Sequence, residues 1–102
     1  MVRMPTYRPP PHPGELLREE FLKPLEMTQT ELAAAIDVPF QRVNDLVNGR
    51  RGITPDTALR FAKLFRTTPD LWLNMQRACD LYDAYRKGSD VLKKIRPIKK
   101  VA

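Results

Sequence analysis

The chain has 102 residues, of which 42% are hydrophobic and 29% are charged, and this length and balance are typical of one helix-rich globular domain. No run approaches the about 18 uninterrupted apolar residues that a membrane span needs. The single cysteine, Cys79, has no partner for an internal disulfide, which favours a reducing, cytoplasmic setting. No metal-ligand cluster, catalytic constellation or phosphate loop is visible, so the sequence predicts no enzyme, no metal and no cofactor.

The net charge of +6 is concentrated at the C-terminus. Residues 1–85 carry eleven basic and eleven acidic residues, whereas residues 86–102 carry seven basic residues and one acid, Asp90. A basic pI often indicates nucleic-acid binding, but here the excess describes only the tail. Phosphates, an acidic protein and solvent all remain open as the surroundings of this tail.

The chain divides into three parts by composition. Residues 1–12 are rich in proline and predict a flexible, extended arm. Residues 13–86 predict five helices and an all-α fold class, and the basic tail follows at residues 87–102. The β-branched residues of the tail leave a short edge strand open. The only histidine, His12, is expected either to cap the first helix or to face solvent.

The first two helices have clear boundary signals. Helix 1 is predicted from Pro13 to about Leu22, because Pro24 opposes its continuation. Thr28 and Glu31 have the spacing of a capping box, in which each side chain bonds the backbone N–H of the other. Helix 2 then extends to about Ile36.

The remaining helices begin at similar signals. Helix 3 is predicted to begin at Pro39, which suits the first helical position, and to end at Asn48-Gly49. Thr54 and Thr68 each precede a Pro-Asp pair, and this pattern predicts an N-cap followed by a helix. The predicted inner face of helix 4 consists of Ala58, Leu59, Ala62 and Phe65. Helix 5 is predicted to extend to about Arg86 and to end at Gly88.

Helices 2 and 3 have the pattern of a helix-turn-helix unit, in which the second helix enters the major groove of DNA. Ala33 supplies the small residue needed where the helices cross. Val43 and Leu46 supply apolar side chains that hold helix 3 to the body. Asp37 lies in the turn, where a left-handed backbone is expected, and aspartate tolerates that conformation better than most residues.

The outward face of helix 3 carries side chains that can contact base pairs. Gln and Asn can bind adenine, Arg can bind guanine, and an aromatic ring can contact the thymine methyl group. The basic loop after the helix and the N-terminus of helix 2 suit phosphate. Asp45 counts mildly against this interpretation, because a carboxylate in the groove meets phosphates. The predicted DNA-binding residues are Gln29, Pro39, Phe40, Gln41, Arg42, Asn44, Asp45, Asn48, Arg50 and Arg51.

Residues Thr28–Gly49 resemble the helix-turn-helix of the Xre, or lambda-repressor-like, family. A longer set of segments is similar to the HigA antitoxins within that family, and Asn48–Ala58 is its most specific part. The matching segments are His12–Glu15, Phe21–Leu25, Arg42–Ala58 and Trp72–Asn74. The resemblance covers about residues 12–86 and leaves out the arm and the tail.

The resemblance implies a five-helix lambda-repressor-like domain that forms a homodimer and binds double-stranded operator DNA. It further implies repression of the chain's own operon and binding of a small basic ribonuclease toxin of the HigB type. No membrane partner is implied. The basic tail is a poor electrostatic match for a basic toxin, so the folded body or the arm is the better candidate for that contact.

Helix 5 offers more apolar surface than one stripe needs, which leaves a dimer interface and a broad core face open as explanations. The predicted interface residues are Trp72, Leu73, Leu81 and Tyr85. Two alternatives to an antitoxin also remain: a stand-alone dimeric transcriptional regulator, and a protein-interaction module that has lost DNA binding.

Overall fold

The computed structural model describes residues 9–99, which form five helices joined by short turns. The first, α1, has three consecutive parts: α-helical Pro13–Leu16, π-helical Leu17–Leu22 and α-helical Lys23–Leu25. The other helices are α2 (Gln29–Ile36), α3 (Phe40–Val47), α4 (Pro55–Phe65) and α5 (Pro69–Lys94). The predicted all-α fold class is confirmed. Residues 1–8 of the predicted arm and residues 100–102 of the predicted tail lie outside the described residues.

Three threonines begin α2, α4 and α5 as the sequence predicts. Thr28 Oγ1 accepts a hydrogen bond from the backbone N–H of Glu31 at 3.0 Å, and the Glu31 carboxylate accepts one from the backbone N–H of Thr28 at 2.9 Å. This reciprocal pair confirms the capping box. The hydroxyls of Thr54 and Thr68 likewise accept from the backbone N–H three residues on.

The core is centred on Trp72, whose side chain is completely buried. Its ring lies 4.8 Å from the ring of Phe61 and 5.2 Å from that of Phe21, measured between centroids. The indole N–H donates to Thr67 Oγ1 at 2.9 Å, so burial leaves no unpaired donor. The tryptophan was predicted to lie in a dimer interface, and that prediction is wrong, because the chain's own helices cover it.

The first helix continues three residues beyond its predicted end at Leu22. Its π-helical segment has a wider turn than an α-helix, and the backbone N–H of Lys23 bonds the carbonyl of Arg18, five residues back. In an α-helix the ring of Pro24 would press on the carbonyl four residues back. The wide turn relieves that contact, and the helix ends instead at Glu26, which has a left-handed backbone with φ of 52°.

The last helix also continues past its predicted end, through Gly88 to Lys94. A single glycine weakens a helix by only about 1 kcal/mol relative to alanine, and the good helix formers Leu92, Lys93 and Lys94 lie beyond it. Pro97 is the stronger stop, and the backbone is already extended at Ile95. Residues 95–99 contain no strand, so the edge strand that the sequence left open is absent from the described part of the tail.

The inner face of α4 is rotated from the predicted one. Leu59 is 60% exposed, whereas Phe61 is buried against Trp72. Ala58 and Phe61 lie three residues apart on one helical face, and Leu59 lies about 100° away from Ala58. The prediction placed both Ala58 and Leu59 inward, and the structure corrects it for Leu59.

Candidate nucleic-acid interface

The turn between α2 and α3 is held in place from two sides. Asp37 has a left-handed backbone with φ of 57°, as its position in the turn predicted. Arg60 reaches across from α4, and its Nη1 donates to the carbonyl oxygen of Ile36 at 2.6 Å and to that of Asp37 at 3.3 Å. A cationic side chain therefore satisfies the carbonyls that the end of α2 leaves open.

Helix α3 has one buried face and one accessible face. Val43, Leu46 and Val47 are buried in the core. On the opposite face, Phe40 is 47% exposed and Gln41 is exposed. A short helix fixed to the body by apolar side chains, with polar groups on its outer face, is the arrangement that enters a major groove in helix-turn-helix proteins.

A chain of hydrogen bonds joins five of the predicted DNA-binding residues. Asn44 Nδ2 donates to Gln29 Oε1 at 3.0 Å, which links α3 to the first residue of α2. Arg50 Nη2 donates to Asn44 Oδ1 at 3.0 Å, and Arg50 Nε donates to Asp45 Oδ1 at 3.3 Å. The same oxygen of Asp45 accepts from Gln41 Nε2 at 2.7 Å. The network fixes side chains that would otherwise lose rotamer entropy on binding a ligand.

The end of α3 explains how Arg50 reaches this face. Gly49 has a left-handed backbone with φ of 75°. Its N–H bonds the carbonyl of Leu46 at 3.1 Å, and the N–H of Arg50 bonds the carbonyl of Asp45 at 2.7 Å. These two bonds form a Schellman motif, which turns the chain back across the end of the helix. The Asn-Gly pair that predicted the stop therefore also directs Arg50 toward Asp45.

Arg42 belongs to a different cluster. Its Nη1 lies 3.4 Å from Asp56 Oδ2, in the first turn of α4. The same oxygen pairs with Arg60 Nε at 3.0 Å. Arg42 and Arg60 thus share the carboxylate of Asp56, and the side chain of Arg42 is 32% exposed.

The remaining predicted residues lie at the rim of α3. Pro39 is the N-cap of the helix with an extended backbone, so α3 begins at Phe40, one residue after the predicted start. Asn48 Nδ2 donates to the carbonyl of Asn44 at 2.9 Å, and its side chain is exposed. Arg51 is also exposed in the loop. Their roles stay predictions, as do those of the rest of the predicted set.

Asp45 remains ionised in this setting. The hydrogen bond from Gln41, followed by the contacts with Arg50, lowers the pKa of the Asp45 carboxyl below its usual value. The negative charge that counted against a DNA contact is therefore directed at an arginine of the same face.

Sequence reasoning missed Arg60 and the role of Asp56. The two residues are four apart on α4, a spacing that predicts an ion pair on a helix surface. Nothing in the sequence indicated that this pair would contact α2 and α3, because such contacts depend on how the helices cross.

The other candidate surface lies on α5. Of the predicted dimer residues other than Trp72, Leu73 is half-buried against the core, Tyr85 is half-buried, and Leu81 is 43% exposed. Leu92 is also an exposed apolar side chain of this helix. Between residues 9 and 99 no helix is both long and apolar enough to cross a membrane.

Helices α2 and α3 meet at a turn in which Asp37 has a left-handed backbone, and α3 has an accessible polar face. These features define a helix-turn-helix protein. The helix-turn-helix family model matches residues 19–72. Virulence-associated protein I of Dichelobacter nodosus is 51% identical over 70 residues, which are 69% of this chain and 65% of that protein. Antitoxin HigA-1 of Vibrio cholerae is 37% identical over 93 residues, which are 91% of this chain and 88% of that protein.

A solved structure of antitoxin GraA in complex with its operator is similar over the full length of both chains, with 37% identity and a TM-score of 0.85. The chain belongs to the HigA-type antitoxins of the Xre helix-turn-helix family. This is a family of DNA-binding regulators and antitoxins, and it is not enzymatic. The resemblance stated from the sequence is confirmed.

Proposed function

We propose that this chain is an antitoxin that, as a homodimer, binds operator DNA of its own operon, represses that operon and neutralises a small basic ribonuclease toxin by direct contact. The observation that supports it most is the accessible face of α3, on which Gln41, Asn44 and Arg50 are held by one hydrogen-bond network. The structural similarity to an antitoxin bound to its operator extends over the whole chain. The thiol of Cys79 and the DNA ligand fit the predicted cytoplasmic setting.

The face of α3 supplies both kinds of contact that operator recognition needs. Gln41 has a second amide N–H and a carbonyl oxygen beyond its bond to Asp45, so it can still bind adenine in a bidentate way. Phe40 is exposed where a thymine methyl group can meet it. Gln29, Asn48 and Arg51 surround these residues with donors for phosphate, which positions the helix without reading sequence.

The homodimer is proposed to form through the second half of α5. Leu81, Tyr85, Gly88 and Leu92 follow one another at intervals of four, three and four residues, which is the spacing of a helix–helix seam. A β-carbon at Gly88 would meet nothing within 4 Å, so the chain leaves this position open for a partner helix. A dimer presents two copies of α3, and two half-sites increase both affinity and specificity.

The toxin is proposed to contact the folded body or the N-terminal arm. The described tail carries Lys93, Lys94, Arg96 and Lys99, and it would repel a basic ribonuclease. A pull-down with the toxin as bait compares the full chain with a chain that ends at residue 94 and carries Lys93→Ser and Lys94→Ser, so that these four basic residues are removed. Toxin capture that disappears with the tail would contradict this part of the proposal.

A growth assay tests the whole function. The reading frame adjacent to this gene is expressed with and without this chain, and growth arrest that the chain relieves is expected. A reporter driven by the shared promoter is measured in the same cells, and repression by the chain is expected. Repression without any relief of growth would contradict the antitoxin role and would leave a DNA-binding regulator.

A further inference from the structure

We propose that Arg50 is the arginine that reads a guanine of the operator, that Asp45 positions it, and that Arg42 serves the protein's own structure. The inference rests on the proposed function, since it requires α3 to enter a major groove. It reverses the assignment that sequence alone favours, in which the arginine within the helix reads a base and the arginines of the following loop bind phosphate. The two arginines differ in which partners hold them and in which edge of the guanidinium remains open.

The backbone first brings Arg50 to the reading face. The Schellman motif closes with the N–H of Arg50 on the carbonyl of Asp45, at 2.7 Å. The side chain therefore starts beside the last turn of α3 and not at the tip of a loop. Only a left-handed residue makes this turn, and Gly49 supplies it without strain.

The side chain of Arg50 is then fixed along one edge. Nε donates to Asp45 and Nη2 donates to Asn44, at 3.3 and 3.0 Å. A guanidinium carries five N–H groups, so the edge formed by Nη1 and Nη2 keeps donors for a ligand. Two donors on one planar edge match O6 and N7 of guanine. The side chain is 58% exposed, so this edge is accessible.

Arg42 has the opposite arrangement. Its partner Asp56 also binds Arg60, and Arg60 holds the carbonyls at the end of α2. An Arg42 that turned to the groove would leave this shared carboxylate and its place beside α4. Its contacts thus support the position of α3 relative to α4.

Asp45 makes Arg50 selective for a base edge over phosphate. Its carboxylate repels phosphate unless Arg50 lies against it, so the two side chains favour a neutral base edge over a backbone contact. The same oxygen binds Gln41, which places the adenine-reading and the guanine-reading side chains at a fixed spacing. Asp45 is therefore a positioning residue that affects sequence preference more than total affinity.

The test measures binding of the full chain to the promoter duplex upstream of this gene and to duplexes with each base pair changed in turn, by fluorescence anisotropy at one salt concentration. The variants are Arg50→Ala, Arg42→Ala and Asp45→Ala, with Arg51→Ala as the matched loop control. Arg50→Ala is expected to lose the preference for one G·C pair, by about 5- to 150-fold. Arg42→Ala and Arg51→Ala are expected to keep that preference.

Further measurements separate base reading from folding. Replacing the identified guanine by 7-deazaguanine removes N7, which should weaken wild-type binding and leave Arg50→Ala unchanged. Asp45→Ala should bind scrambled duplex more tightly than wild type does, while the preference at the same G·C pair declines. A thermal melt of each variant identifies any loss of binding that comes from unfolding. Arg50→Lys keeps the charge and a donor but not the planar edge, so its preference for the G·C pair should lie between those of wild type and Arg50→Ala.

The outcomes distinguish the inference from the function on which it rests. If wild type discriminates the promoter but Arg50→Ala weakens every duplex alike, or if Arg42→Ala abolishes the G·C preference, the assignment of Arg50 is overturned and the proposed function stands. If wild type binds scrambled duplex as tightly as the promoter, operator recognition is overturned, and the reading role of Arg50 with it.

Discussion

Gly14, in the first turn of α1, touches the carbonyl oxygen of Leu46 near the end of α3. A β-carbon added at Gly14 would lie 2.0 Å from that oxygen and 3.1 Å from His12 Nδ1. The same nitrogen of His12 accepts a hydrogen bond from the Gly14 N–H at 2.9 Å, so of the two roles predicted for His12 the structure shows the cap. The position of α3 thus depends on the lack of a side chain at Gly14 in α1.

Gly14→Ala should therefore destabilise the protein and displace α3. The added β-carbon would overlap backbone atoms of Leu46, which cannot move aside as a side chain can. We therefore expect the free energy of unfolding to fall by about 1–3 kcal/mol, as in overpacked cores. Urea denaturation measures this change, and operator affinity should fall with it. Glu20→Ala, at an exposed position of the same helix, is the matched control, and we expect no such loss. Equal stability of Gly14→Ala and wild type would contradict the close approach.

Arg60→Ala should weaken the turn between α2 and α3. The variant leaves the carbonyls of Ile36 and Asp37 without their cationic donor. Hydrogen bonds to charged groups contribute about 1.5–3 kcal/mol, and we expect the lower end of that range because Arg60 is partly exposed. Amide hydrogen exchange should increase most in α2 and α3. A uniform increase over all five helices would show that the effect is not local.

Leu81→Glu should convert the proposed dimer to a monomer without unfolding it. A carboxylate in the α5 seam would be buried without a partner in the dimer but would face water in the monomer, because Leu81 is exposed in the single chain. Light scattering gives the mass and circular dichroism gives the helix content. Lys87→Glu, on another side of α5, is the charge control and should remain dimeric. A Leu81→Glu variant that stays dimeric would place the interface elsewhere.

Stability should fall at acidic pH, in part through the capping box. The backbone hydrogen bond from Thr28, and then its side chain, lower the pKa of Glu31 below its usual value. A carboxyl with a lowered folded-state pKa stabilises the fold at neutral pH, and this contribution disappears as the pH falls through that lowered pKa. Glu31→Gln should be less stable than wild type at pH 7, and the difference should shrink at acidic pH. A difference independent of pH would contradict the charge effect.

Cys79 should react slowly with a disulfide reagent such as DTNB. Burial, and then the nearby charges of Asp80 and Asp83, raise the pKa of its thiol, so the thiolate is scarce at pH 8. The sulfur also lies 3.4 Å from the carbonyl oxygen of Pro11 at the end of the arm. The reaction should accelerate in urea, and also in a chain that lacks residues 2–11. Equal rates in the folded and unfolded protein would contradict this shielding.

The sequence by itself determined the local structure of this protein. Thr28 and Glu31 predicted the start of α2, Asp37 predicted its left-handed end, and Asn48-Gly49 predicted the end of α3. These features depend on side chains that bond backbone groups two to four residues away, so they can be recognised in a short window of sequence. The same windows carried the family resemblance that the comparisons confirm.

Only the tertiary structure decided the contacts between residues that are distant in the sequence. Trp72 lies in the core and not at an interface, because aromatic rings from α1 and α4 surround it. Arg42 and Arg50 have the same charge and both lie in or beside α3, yet one meets Asp56 and the other Asp45. The crossing of α3 and α4 sets the distance from Arg42 to Asp56, and a crossing angle is not a local property of the sequence.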